Sequence, residues 1–136
     1  MSTARLAGVL CGALVLVAGC GSSDDPVRRY FAGNNAAARQ GPAAQQEFLD
    51  RTQHPDFVDQ VCELGDTTIE LDPAMSTLRP DPGFTPDGAG PVRGEVWAVG
   101  VEVTLRRQGT VVGRQIGSQH VVLIDDQPFG FAPCPT

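Results

Sequence analysis

Apolar positions three and four residues apart predict helices in the part of the chain that follows residue 25. Pro26 suits the first turn of a helix, because its missing N–H is one that a helix leaves without an internal partner. Gly41 and Pro42 interrupt the periodicity, which then resumes and stops at Gly65. The three helices predicted in this way cover residues 26–39, 43–51 and 57–64.

In the second half of the chain, apolar and polar residues alternate, which is typical of half-buried strands. Residues 92–107 give the clearest alternation, and residues 67–71 give a shorter one. Between them, residues 72–91 contain five prolines and three glycines. We therefore predict a long irregular loop between the two strands, with a short strand near residues 75–78 as an alternative within it.

The dipeptide Gln108-Gly109 predicts a two-residue turn between two long strands. The register that follows places Val112 beside Leu105, Ile116 beside Val101 and His120 beside Trp97. In this register the apolar residues of the second strand share the face of Trp97, and the polar face carries Glu102, Gln115 and Gln119. A second turn at Asp125-Asp126 then leads into a short edge segment.

Helices followed by an antiparallel sheet predict an α+β fold, with the helices packed on the apolar face of a curved sheet. With 41% hydrophobic and 19% charged residues, the composition is that of a globular chain. The length suits a single domain, predicted over residues 26–136. The net charge of −6 and the absence of a long basic run argue against nucleic acid as a partner. All basic residues are arginine, as is common in chains from GC-rich genomes such as those of actinobacteria.

The first nineteen residues are predicted to be a signal peptide. After Arg5, an apolar stretch over residues 6–18 is too short to span a bilayer comfortably. The ending Val17-Ala18-Gly19-Cys20 resembles the lipobox of bacterial lipoproteins, and an ordinary secretory peptide is the alternative. The resemblance implies that Cys20 carries a diacylglycerol with acyl chains such as palmitate, which anchors the protein at the outer face of the cell membrane. Residues 20–25 are then a flexible tether.

Cysteine counting predicts one disulfide. One of the four cysteines lies in the signal segment, and lipidation of Cys20 leaves Cys62 and Cys134. An exported protein meets an oxidising compartment, so this pair is predicted to be bonded. A metal site is the weaker alternative, because the chain has no Cys-x-x-Cys and His54 and His120 lie far apart in sequence.

The order of elements, the lipobox and the cysteine pair resemble small lipoproteins and secreted antigens of actinobacteria with a nuclear-transport-factor-like fold, also called a cystatin-like cone. The residues that carry the resemblance are Val27-x-x-Tyr30-Phe31, His54-Pro55 and the long final hairpin. The chain lacks the acid/base constellation of catalytic members, so no catalytic residue, metal or cofactor is predicted.

A cone fold often encloses an apolar pocket, and Tyr30, Trp97 and His120 are predicted to line it. The simpler interpretation of these side chains is a packed core with a hydrogen-bonded histidine. His54 is interpreted as a helix-boundary residue. The loop acids Asp72, Asp81 and Asp87 are interpreted as solvated surface, because their spacing fits no compact calcium loop.

Three functions follow as hypotheses. The first is a lipid-anchored, non-enzymatic module that binds a protein partner or a small apolar ligand. The second is a small isomerase or dehydratase in which His120 acts as general base. The third is a homodimer formed through the open sheet face that carries Glu102 and Gln115.

Overall fold

The predicted α+β class is confirmed by the structure, a computed structural model that describes residues 22–134. The helices are α1 (Asp24–Gln40) and α2 (Pro42–Thr52), with 3₁₀ helices at Pro55–Gln60 and Pro86–Gly88. The strands are β1 (Thr67–Pro80), β2 (Glu95–Arg107), β3 (Thr110–Ile124) and β4 (Gln127–Gly130). They form one antiparallel, curved sheet in the order β1-β2-β3-β4. The predicted signal peptide and Cys20 lie outside the described residues.

Within residues 22–134, no helix is both long enough and apolar enough to cross a bilayer. The first two predicted helices are confirmed within two residues at each end. The third was predicted too long, since it is a 3₁₀ helix that ends at Gln60. The 3₁₀ helix Pro55–Gln60 has no buried residue, and Val58 in it is 55% exposed.

The predicted loop over residues 72–91 is wrong in its first half, because β1 continues to Pro80 and includes the alternative short strand near residues 75–78. Proline has no backbone N–H to donate. It is tolerated here because β1 is an edge strand, at which an N–H that points away from β2 has no strand to pair with. A bulge between Ala74 and Arg79 shifts the pairing with β2. The irregular segment is therefore confined to residues 81–94, which we call the 81–94 loop.

The turn at Gln108-Gly109 is confirmed, with both residues at positive φ. The predicted register beyond it is wrong by one residue, since a bulge follows Leu105 and places that residue opposite Gly113. His120 therefore lies opposite Ala98, not Trp97. Because opposed residues share a face, the outward and inward sides of β3 are exchanged relative to the prediction.

The hydrophobic core lies between the helices and one face of the sheet, which we call the helix-facing side. The helices contribute Val27, Phe31 and Leu49, all nearly without solvent exposure. From the sheet, the core receives Ile69, Leu71, Val99, Val101, Val103, Val121 and Leu123. Burial of these side chains supplies most of the driving force for packing the two layers.

Side-chain amides from the helices cover the free edge of β1. Asn35 donates to the carbonyl of Leu71 at 2.7 Å and accepts from its N–H at 2.9 Å. Gln45 does the same for Ile69, at 2.6 Å and 2.9 Å, and Asn34 also donates to that carbonyl. The backbone groups of Ile69 and Leu71, which this edge leaves without a strand partner, are thus satisfied within the domain.

The predicted disulfide between Cys62 and Cys134 is confirmed, with Cα atoms 5.6 Å apart. It fastens the segment that follows β4 to the segment that follows the 3₁₀ helix Pro55–Gln60. A hydrogen bond from the Ala132 N–H to the Gln53 side chain, at 2.8 Å, holds the same segment against the end of α2.

Candidate functional site

The helix-facing side of the sheet is not entirely filled by the helices. Toward the β2–β3 turn it forms a cleft of about 590 Å³, which we call the sheet cleft. Its apolar floor consists of Ile69, Val103 and Leu105, from three positions on β1 and β2. No residue of α1 or α2 lines the sheet cleft. At its base Ile69 and Val103 are buried in the core, whereas Leu105 keeps exposed surface.

Polar side chains stand around this apolar floor. Gln115 and Gln119 project from β3 on the same side as the floor residues, because they lie opposite Val103 and Val99. Arg107 lies at the end of β2 and pairs with Asp66 at 3.4 Å. A ligand in the sheet cleft would therefore meet aliphatic carbon below and carboxamide groups at the side.

The carboxyl-terminal segment forms a wall of the sheet cleft through Pro133 and Cys134. Cys134 is held there by its bond to Cys62. The disulfide that cysteine counting predicted is therefore part of the cleft and shapes it directly.

A second cleft of about 590 Å³ lies between the end of α1 and the opposite, outer face of β1 and β2. Its charged side chains already pair with one another, since Glu70 contacts Arg106 and lies 3.8 Å from Arg39. These mutual pairs make it a weaker candidate for binding a charged ligand.

The three residues predicted to form a pocket are not brought together. Tyr30 is a core residue whose ring packs on Phe31 and Phe48, with centroids 5.5 Å apart in each case. Trp97 also packs against the core, and its indole N–H has no hydrogen-bond partner among residues 22–134. His120 lies on the outer face of the sheet, so it cannot share a helix-side pocket with the other two.

His120 forms a pair with Asp81 that sequence analysis missed. Its Nε2 lies 2.9 Å from a carboxylate oxygen of Asp81, and its ring stacks on Phe84 with centroids 3.6 Å apart. Asp81 had been interpreted as solvated surface. The contact spans 39 positions along the chain, and no local pattern indicates it.

An aromatic cluster connects this pair to the second histidine. Phe131 contacts Phe84 at 5.3 Å and stacks on His54 at 5.8 Å between centroids. His54 caps the following 3₁₀ helix, because its Nδ1 accepts a hydrogen bond from the Asp56 N–H. This confirms the interpretation of His54 as a helix-boundary residue. Its Nε2 lies 2.8 Å from the carbonyl of Arg93. Both histidines thus fasten the 81–94 loop to the rest of the domain.

Burial raises the pKa of Tyr30 to about 12, although a hydrogen bond with Thr52 opposes the shift. The folded protein therefore favours the neutral phenol. This contribution to stability is complete below the ordinary pKa of 10.0 and is lost as the pH rises from there to about 12. A shift of this size corresponds to about 3 kcal/mol.

Because Tyr30 is the only tyrosine, tyrosinate absorbance reports on it alone. We expect the native protein to show little tyrosinate at about pH 11, and the protein unfolded in guanidinium to titrate near the ordinary value. The free energy of unfolding of wild type should fall between about pH 10 and 12, and that of Tyr30→Phe should not fall in this range. Native titration near pH 10 would contradict the burial argument.

No protein-family model, no curated protein and no solved structure matches the chain.

Proposed function

We propose that this protein is a lipoprotein of the cell surface whose domain binds a small apolar ligand in the sheet cleft without catalysing a reaction. The observation that carries the proposal is the cleft itself, with its volume of about 590 Å³ and its apolar floor. Small-molecule sites typically enclose about 300–1,000 Å³ and combine an apolar lining with a few polar groups.

The lining suits an elongated apolar ligand that carries one hydrogen-bonding group. Leu105 and Val112, which keep exposed surface, would take the apolar part out of water beside the buried Ile69 and Val103. The carboxamides of Gln115 and Gln119 can both donate and accept, so they would orient a carbonyl, hydroxyl or carboxylate.

The chemistry of the lining favours binding over catalysis. Among the described residues that line the sheet cleft, the ionisable side chain is that of Arg107, since Cys134 is in the disulfide. An arginine stays protonated and cannot act as a general base. General acid–base catalysis needs a group that gains and loses a proton near the working pH.

The anchor is proposed from the lipobox that ends at Cys20. The first residue of α1, Asp24, follows closely, so the domain would stand near the bilayer. The start of α1 lies beside Glu95 and Leu123, whereas the sheet cleft lies at the other end of β2, near Arg107. In this arrangement the cleft faces away from the membrane and takes its ligand from the surroundings of the cell.

The pair of His120 and Asp81 favours a second candidate function, an isomerase or dehydratase that uses this imidazole as a base. One face of the imidazole is covered by Phe84, however, and the pair lies on the side of the sheet opposite to the cleft. We therefore rank this function below ligand binding.

Filling the sheet cleft should abolish binding. A Cβ at Gly113 would lie 3.8 Å from Leu105, so Gly113→Leu introduces a side chain into the cleft without a backbone clash. With dansyl-undecanoic acid as a fluorescent apolar probe, we expect the dissociation constant to rise by at least about tenfold.

The matched control is Ser118→Leu, which adds the same side chain on the outer face of the same strand. This variant and His120→Gln should bind the probe within about twofold of wild type. If Gly113→Leu binds as well as wild type, or if wild type shows no saturable binding, the apolar-ligand proposal is wrong.

The anchor is tested by the intact mass of the protein extracted from membranes without reductant. We expect a chain that begins at Cys20, is heavier by a diacylglycerol and is lighter by two hydrogens for the disulfide. A mass without lipid would show that the protein is not anchored through Cys20. Ligand binding in the sheet cleft would remain a separate proposal, tested by the probe.

A further inference from the structure

The strand β3 has an open edge. β4 pairs with it only from Val121 onward, so residues 110–120 have β2 on one side and no strand of residues 22–134 on the other. The N–H and C=O groups on that side can pair with another extended chain.

The other edges of the sheet are covered in part. The edge of β1 receives the side-chain amides of Asn35 and Gln45. The edge of β4 is met by a bridge from Gln53 to Gly130 and by the N–H of His54, which donates to the Gly130 carbonyl at 2.9 Å. In contrast, residues 110–120 contain neither proline nor lysine, the residues that commonly block pairing at an edge.

The open edge also exposes apolar side chains. Ile116 is 85% exposed and Val112 is 54% exposed. Although the chain has a net charge of −6, it has no acidic residue between Glu102 and Asp125. Pairing of this strand with a second copy would therefore bring no two carboxylates together, and Arg114 is the charged residue of residues 110–120.

We infer that the open edge of β3 pairs antiparallel with the same strand of a second copy, about a two-fold axis at Gln115. The two sheets would then form one continuous sheet of eight strands. This inference does not depend on ligand binding.

The strand is complementary to itself about that axis. Gln115 meets Gln115 of the second copy, Gly113 meets Gly117, and Arg114 meets Ile116. The aliphatic stem of Arg114 would cover the exposed Ile116. Arg114 has no ion-pair partner within residues 22–134, and this axis keeps the two arginines apart. An axis at Arg114 would instead place the two guanidinium groups side by side.

This surface replaces the one predicted from sequence. The predicted homodimer used a sheet face that carried both Glu102 and Gln115, but these residues lie on opposite faces. Gln115 lines the sheet cleft, so pairing about this axis would place the clefts of the two copies next to each other.

Cross-linking of the full-length protein in membranes tests the axis. Gln115→Cys should give a species of twice the chain mass on a non-reducing gel, because the two thiols would face each other. Ser118→Cys, on the same exposed strand, should stay monomeric because it faces Val112 of the second copy. A cross-link at residue 118 but not at 115, or a cross-linked species of any other mass, would overturn the inference.

Charge substitution at Ile116 provides an independent test, read as the dimer dissociation constant by light scattering of the detergent-solubilised protein. Ile116→Arg would place an arginine beside Arg114 of the second copy, and this contact occurs twice in the dimer. The repulsion should raise the dimer dissociation constant by about fivefold or more. Ile116→Glu should lower it, because the new carboxylate meets Arg114. The control Val58→Arg, on an exposed residue of the 3₁₀ helix, should change nothing.

Neither change at Ile116 should unfold the domain, since the side chain is exposed. Glu102 lies opposite Ile116 within the same chain, so an arginine there gains a partner in the monomer, whereas a glutamate faces a like charge that Arg114 of the second copy would relieve. Wild type that is monomeric at all concentrations, or equal effects of the arginine and the glutamate, would show that β3 does not pair with itself.

Discussion

A variant with serine at both Cys62 and Cys134 is expected to lose about 4 kcal/mol of unfolding free energy. The two cysteines are 72 positions apart, so their bond removes much of the freedom of the unfolded chain. Without it, the hydrogen bond between Ala132 and Gln53 would hold the carboxyl-terminal segment with less support. Urea denaturation followed by the fluorescence of the single tryptophan measures the loss.

Reduction of wild type under the same conditions should produce a similar loss, and reductant should have no effect on the serine variant. Removal of the bond should also weaken probe binding, because Cys134 forms a wall of the sheet cleft. A loss of less than about 1 kcal/mol would mean that the chain-entropy argument fails for this protein.

Replacing Gln45 by methionine is expected to cost about 3 kcal/mol, although the two side chains have similar volumes. Gln45 is fully buried and holds both backbone groups of Ile69, and it also donates to Asn34 at 2.9 Å. Methionine would leave the N–H of Ile69 buried without a partner, whereas the carbonyl keeps its bond from Asn34. The measurement is the free energy of unfolding in urea.

Gln40→Met is the matched control, since Gln40 is exposed at the end of α1. We expect this variant to differ from wild type by less than about 0.5 kcal/mol. If the two substitutions have the same effect, the amide coverage of the β1 edge contributes little to stability.

Local patterns predict the helices and turns of this protein well. Pro26, Gly41 and the dipeptide Gln108-Gly109 act through their own backbone preferences, which depend little on distant residues. The cysteine pair was likewise predictable, because the predicted export would place the two remaining cysteines in an oxidising compartment, where they pair.

The register of β3 was not predictable, for two physical reasons. A turn fixes the pairing only as far as the first bulge, and the bulge after Leu105 comes almost immediately. The helix-facing side of β3 is also polar where it lines the sheet cleft, at Gln115 and Gln119. A test that assumes one wholly apolar face therefore selects the wrong register, and the disagreement itself marks the candidate site.

The contact between His120 and Asp81 was beyond sequence analysis for a different reason. It depends on how the 81–94 loop crosses the outer face, where the ring of Phe84 fixes the imidazole from one side. The end of β1 was missed because prolines normally stop a strand, and only an edge position makes Pro73 acceptable.

The sheet edges differ in how far their backbone groups already have partners within the domain, and this difference would limit how many copies can associate. Asn35 and Gln45 occupy the backbone groups of Leu71 and Ile69 at the β1 edge, and Gln53 bridges to Gly130 at the β4 edge. If two copies join through β3 as inferred, the composite sheet would end at the two partly covered β1 edges. Growth beyond a pair would then be disfavoured, and the open edge of β3 would not seed fibrils.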